Sequence, residues 1–149
     1  MGQNHLEASL HFVWATWDRH PLIEPEIERE LYRYVSATCQ NHGCEVLAVG
    51  GMPNHLHLLV MFGNAISLAD LMRHVKGGSS HFIGKRLRPG EWFRWQASYG
   101  VFCVEAKNRN RVISYIANQK IHHANGTVWP TLERTSAEAP SFSIIPETE

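Results

Sequence analysis

Two histidines one residue apart, His55 and His57, open an apolar run in Met52-Pro53-Asn54-His55-Leu56-His57-Leu58-Leu59-Val60. Alternate residues of a strand share a face, so the two imidazoles project together while Leu56 and Leu58 point the other way. Paired neutral imidazoles make a platform for a metal ion. Oxygen ligands beside them would favour magnesium or manganese, and further nitrogen or sulfur would favour zinc. A bare His-x-His is more often two histidines on a half-exposed strand. The second constellation is Ser114-Tyr115-Ile116-Ala117-Asn118-Gln119-Lys120-Ile121-His122-His123. On a helix Tyr115 and Gln119 lie four apart on one face, with Val112 and His122 near the same stripe. A phenol titrates near pH ~10, so Tyr115 becomes a nucleophile only beside a metal, a base or a charged phosphate. Gln119 is a third oxygen ligand if this helix packs over the histidine strand. The plain alternative is a boundary tyrosine with a buried ring and a wet hydroxyl. His122 and His123 are adjacent on the helix and point about 100° apart, so one site does not easily use both.

These residues need elements to position them. Leu10 to Trp17 is β-branched and aromatic and reads as a strand. Pro25 opens a helix with Glu26, Glu28 and Glu30 near its positive end, and Gly43 ends it. Strands follow at Glu45 to Val49 and His55 to Phe62, joined by a turn at Gly50 to Asn54. Ser67 with Asp70 resembles a capping box for a second helix, which Gly77-Gly78 weakens or kinks before it resumes toward Leu87. Pro89-Gly90 is a turn, Ser98 to Val104 a fourth strand, and a last helix runs from Asn108 to about His123. The order β-α-β-β-α-β plus a helix predicts an α+β, ferredoxin-like split βαβ fold with a four-stranded antiparallel sheet. Residues 1–129 form one domain in this reading, and 130–149 an irregular, partly mobile tail.

The chain has 149 residues, 44% of them hydrophobic and 19% charged, which fits one globular domain and excludes disordered and fibrous classes. Its longest apolar run, Leu58 to Phe62, is far short of the ~20 residues of a membrane span. Without a signal-like N-terminus and with three cysteines lacking a C-x-x-C, it is expected in the reducing cytoplasm, away from membranes. The zero net charge hides an asymmetry: −5 over residues 1–70, +8 over 71–120 and −3 over 121–149. The basic segment is interleaved with Phe82, Trp92, Phe93, Trp95, Tyr99 and Phe102, cations for phosphates beside faces for bases. A solvated helix beside a core-forming aromatic strand would have the same composition.

MPNHLHLLV resembles the histidine–hydrophobic–histidine (HUH) signature, and YIANQKIHH resembles the tyrosine helix, of the single-tyrosine transposases of small bacterial insertion sequences. The REP-associated tyrosine transposases are their relatives. LHFVWATWDR, SLADLMRHVKGGSS and FRWQASYGVFCV match along the chain, so the resemblance spans about Leu10 to Trp129. It implies a DNA transposase in which His55, His57 and Gln119 hold a divalent cation, Mg2+ or Mn2+. Tyr115 is then the nucleophile that attacks single-stranded DNA, leaving a 5′-phosphotyrosine and a free 3′-hydroxyl for rejoining. It further implies DNA hairpins at element ends as partners and a homodimer, often with a tyrosine shared between subunits. Asn54 departs from the acidic residue that many relatives carry there. Arg73, Lys76, Arg109 and Arg111 are the candidate phosphate contacts.

Two other functions are compatible with parts of the pattern. A histidine-nucleophile nucleotide enzyme would want a third alternate histidine, where Leu59 stands. A non-catalytic, domesticated single-stranded nucleic-acid-binding protein would use the same basic segment without cleavage.

Overall fold

The computed structural model describes residue 2 and residues 4–137. The elements are β1 (Ser9–Ala15), α1 (Pro25–Asn41), β2 (Glu45–Met52), β3 (His55–Met61), α2 (Leu68–Phe82), β4 (Gly100–Val104), α3 (Arg109–Ala117) and α4 (Gln119–Asn125). The strands form one antiparallel sheet in the order β2-β3-β1-β4, the ferredoxin-like arrangement expected.

Strand alternation divides the sheet into two faces. Phe12 and Trp14 of β1 and Leu56, Leu58 and Val60 of β3 face α1 and α2, against Ile27, Leu31, Val35, Leu71 and Val75. Each such buried side chain contributes about 1.5–3 kcal/mol, so this layer carries most of the stability. The other face carries a smaller apolar group, Leu59 with Val112 and Ile116 of α3, and beyond it the histidines.

Several local expectations are corrected. β1 stops at Ala15, and Trp17–Arg19 form a 3-10 turn. β2 continues through Gly50 and Gly51 to Met52, leaving a tight turn before His55. These glycines serve packing: a Cβ on Gly50 would collide with the Ile116 carbonyl, so its bareness lets α3 lie close on the sheet, and a Cβ on Gly51 would collide with the His55 carbonyl of β3. Ser67 caps α2 through its Oγ, which accepts the Asp70 amide at 3.1 Å. The helix runs unbroken through Gly77-Gly78, where Gly78 admits the Tyr34 ring, and changes character only in a π-helical turn at Ile83–Leu87. The single last helix expected from Asn108 to His123 is two helices. Asn118 (φ −107°, ψ 25°) breaks it, so Gln119 starts α4.

The segment expected to be irregular from Pro130 instead begins with a 3-10 turn, Pro130–Glu133, laid over the histidine face. The remainder of that tail, 138–149, lies outside the described residues. No helix among the described residues is long and apolar enough to cross a membrane.

Candidate active site and metal centre

The register of β3 places His55 between Ala15 and Met52, and His57 between Val13 and Gly50. Both imidazoles are buried. Above this face of the strand, α3 and α4 place Tyr115 and Gln119. Both of these are also buried. The histidine pair, tyrosine and glutamine of one chain therefore meet.

Glu133, from the short turn after α4, joins them. Its Oε2 lies 3.1 Å from His55 Nε2 and 3.0 Å from His57 Nε2. Its Oε1 accepts a hydrogen bond from the Tyr115 hydroxyl and lies 3.4 Å from His123 Nε2. Gln119 Oε1 is 3.2 Å from His55 Nε2 and 3.1 Å from His123 Nε2. Its amide nitrogen donates to the Tyr115 carbonyl at 3.4 Å, which turns the oxygen inward.

The donor set converges on one point. Asn54 Oδ1 lies 2.7 Å from His55 Nδ1, and a side-chain carbonyl can only accept, so Nδ1 carries a proton. His55 Nε2 faces two oxygens, Glu133 Oε2 and Gln119 Oε1. His55, His57 and Glu133 offer ligand atoms within 4.8 Å of one another, with Gln119 adjacent. Imidazole with oxygen donors suits a divalent cation, so the residues fit one.

A second layer fixes the ligands. His11 of β1, buried, places Nε2 2.8 Å from His57 Nδ1, while its own Nδ1 has no hydrogen-bond partner among the described residues. Burial lowers the His11 pKa to about 3, with the neighbouring His57 acting in the same direction. Burial likewise lowers His57, and with a neutral ring its contact with Glu133 is a hydrogen bond rather than an ion pair. Burial alone would raise Glu133; hydrogen bonds from His55 and His57 outweigh it and hold this carboxyl well below the usual carboxylate range.

Tyr115 is held from three sides. Trp129 stacks on its ring at 4.5 Å, His122 lies at 4.8 Å, and the Trp129 amide donates to its oxygen at 3.0 Å. Burial, then the Glu133 hydrogen bond, push its pKa up to about 12, so the phenol is protonated here. His122 and His123 thus diverge as the helix geometry requires: one flanks the tyrosine and the other reaches Gln119 and Glu133.

The four candidate phosphate contacts do not converge on this site. Arg73 and Lys76 belong to α2, in the layer across the sheet from the histidines. Arg73 sits 3.5 Å from Asp70. Lys76 donates to the Gln96 and Ser98 carbonyls at 2.5 and 3.2 Å, and burial lowers its pKa to about 8. Arg109 reaches Ser9 Oγ at 3.4 Å, at the far end of β1. Only Arg111 touches the site's surroundings, 5.4 Å over the Trp129 ring. Sequence reasoning missed His11, Trp129 and Glu133. His11 shares strand parity with Val13 and Ala15, a usable signal; Glu133 sits in a Pro-rich tail that gave none.

The chain matches the family "Transposase IS200 like" over residues 4–119 and belongs to it. It is similar to the ISDra2 transposase TnpA of Deinococcus radiodurans, 26% identical over 114 residues, covering 73% of this chain and 81% of that one. A solved structure of a putative transposase from Deinococcus radiodurans superposes with a TM-score of 0.62 at 26% identity, covering 80% of this chain and 96% of that one. A REP-associated tyrosine transposase bound to a REP hairpin shares the fold, with a TM-score of 0.60 at 15% identity over 87% of this chain and 79% of that one.

Proposed function

We propose that this transposase cleaves and rejoins single-stranded DNA through a 5′-phosphotyrosine on Tyr115, with a divalent cation, Mg2+ or Mn2+, at the histidine pair. The observation that carries it is the meeting of Tyr115 Oη, His55, His57, Gln119 and Glu133 within one chain. His55, His57 and Gln119 would hold the cation with Glu133 as a further oxygen ligand. When bound, the cation polarises the scissile phosphate and stabilises charge building on its oxygens.

The chain's own residues do the rest. To present both Nε2 lone pairs, His55 would carry its proton at Nδ1, donating to Asn54 Oδ1, and His57 would carry its proton at Nδ1, donating to His11 Nε2. Asn54 thereby does the work of the acidic residue that relatives carry. Trp129 fixes the Tyr115 ring, and Glu133 Oε1, accepting the phenol's hydrogen bond, orients the tyrosine oxygen, which loses its proton to water as it attacks phosphorus. The P–O3′ bond breaks and the 3′-oxygen leaves as a hydroxyl, taking up a proton from water. The phosphotyrosine retains the energy of the broken diester, so a DNA 3′-hydroxyl can reverse the step at a new junction without ATP.

Residues 1–129 together with the turn through Glu133 form the catalytic unit. The hairpin-bound relative supports DNA hairpins as the partner, and the family resemblance supports a homodimer working in the cytoplasm. Protein incubated with hairpin-bearing single-stranded DNA and Mn2+, then digested for peptide mass mapping, should carry nucleotide on Tyr115. Tight binding with no modified peptide across many sequences would favour the non-catalytic binding protein.

A further inference from the structure

The loop between β1 and α1 takes no part in the chemistry above, yet it is held in an unusual shape beside His55. Asp18 and Arg19 follow one another in the left-handed region, with φ of 49° and 53°. Aspartate tolerates that region; arginine, which lacks a short side chain to bond its own backbone, does so poorly. The surroundings enforce it. Thr16 Oγ1 bonds the His20 carbonyl at 2.6 Å and the Asn54 carbonyl at 3.1 Å, and Gln96 Oε1 accepts the Asp18 amide at 3.1 Å. The Trp17 amide donates to the Arg94 carbonyl at 2.8 Å. Backbone strain kept in place by such a network is a mark of functional loops.

The shape brings three side chains to one surface. The Arg94 guanidinium lies 4.2 Å over the Trp17 ring, making a flat cationic plate on an aromatic support. Arg94 and Arg19 are exposed, Trp17 half-buried. Among the described residues neither arginine has a carboxylate partner, unlike Arg88, which faces Glu24, Glu26 and Glu91. The loop is also wired to the metal platform, because the residue that receives the Thr16 hydroxyl, Asn54, orients His55. A stacking plate with unneutralised cations, linked through Thr16 and Asn54 to His55, matches how unpaired nucleotides are held.

We propose that Trp17, Arg94 and Arg19 bind one unpaired nucleotide of single-stranded DNA next to the scissile phosphodiester. The base stacks on the Arg94 plate supported by Trp17, and Arg19 pairs with the phosphate. This rests on the single-stranded DNA reading above and adds the place where the flanking strand is gripped.

The test is fluorescence anisotropy of a labelled oligodeoxythymidine without metal, so that binding is read apart from cleavage. Trp17→Ala and Arg94→Ala should each weaken binding about tenfold, the size of one lost base stack. Trp17→Phe keeps a ring and should stay near wild type, whereas Arg94→Lys keeps charge without the plane and should not. Arg19→Ala should flatten the salt dependence by about one phosphate contact. Arg94 is exposed, so its variants fold whatever Trp17→Ala does. Wild-type affinity in both Arg94 variants overturns the platform and leaves the transposase reading standing. Failure of the unmodified chain to bind single-stranded DNA at all overturns that reading, and the platform with it.

Discussion

β3 presents two buried faces made from alternating residues of one short strand, and they differ in kind. Leu56, Leu58 and Val60 enter a continuous apolar layer under α1 and α2. His55 and His57, equally buried, enter a cage of nitrogens and oxygens with His11, Tyr115, Gln119 and Glu133 around them. Burying polar groups costs free energy unless each finds a partner, and even when paired they stabilise less than well-packed apolar side chains. The apolar face therefore holds the molecule together, and the polar face is what that stability supports. Substitutions on the two faces should separate stability from activity.

The largest separation is expected at neighbouring positions. His57→Ala should lower metal-dependent strand cleavage more than about 100-fold, while Leu58→Ala should cost about 2–5 kcal/mol of unfolding free energy. Cleavage kinetics beside urea denaturation measure both. Gly50→Ala attacks the seam between the faces: the new Cβ meets the Ile116 carbonyl and lifts α3, so Tyr115 shifts from the histidines. Cleavage should fall on the order of 100-fold with DNA affinity little changed.

The polar face should also give an acid sensitivity that the apolar one cannot. His11 titrates near 6.5 when unfolded and at about 3 when buried, so the unfolded chain binds more protons between these values. The stability His11 contributes is present above pH ~6.5 and is lost as pH falls toward about 3. His57, also lowered, acts in the same sense. His11→Leu should flatten the dependence of thermal stability on pH across that window without abolishing it. The smallest effect belongs to Arg73, across the sheet from the site. Arg73→Ala should leave cleavage intact and stability within about 0.5 kcal/mol, as melting and cleavage assays will show.

How far these faces can be read from sequence depends on how local their causes are. Strand alternation at His55–His57, the cap at Ser67, the glycine after α1 and the Tyr115–Gln119 spacing are short-range patterns, and the fold order followed from them. Gly50 reads locally as part of a turn, because its demand for bare backbone comes from Ile116, distant in sequence. The break at Asn118 falls inside a helical pattern without a proline or glycine to announce it. Glu133 was illegible for the same reason. A carboxylate in an irregular stretch acquires a role only when the chain returns over the histidines. The basic segment from 71 to 120 is contiguous in sequence, and the fold distributes it over both sides of the sheet.

The measurement closest to the central claim is a denaturing gel of the protein with labelled hairpin-bearing single-stranded DNA and Mg2+ or Mn2+, with Tyr115→Phe alongside. A covalent protein–DNA band that needs metal and is absent from Tyr115→Phe, although that variant still binds the DNA, is the expected result. A band of equal strength in Tyr115→Phe, or one indifferent to chelator, would contradict the assignment of Tyr115 over the histidine pair as the reaction centre.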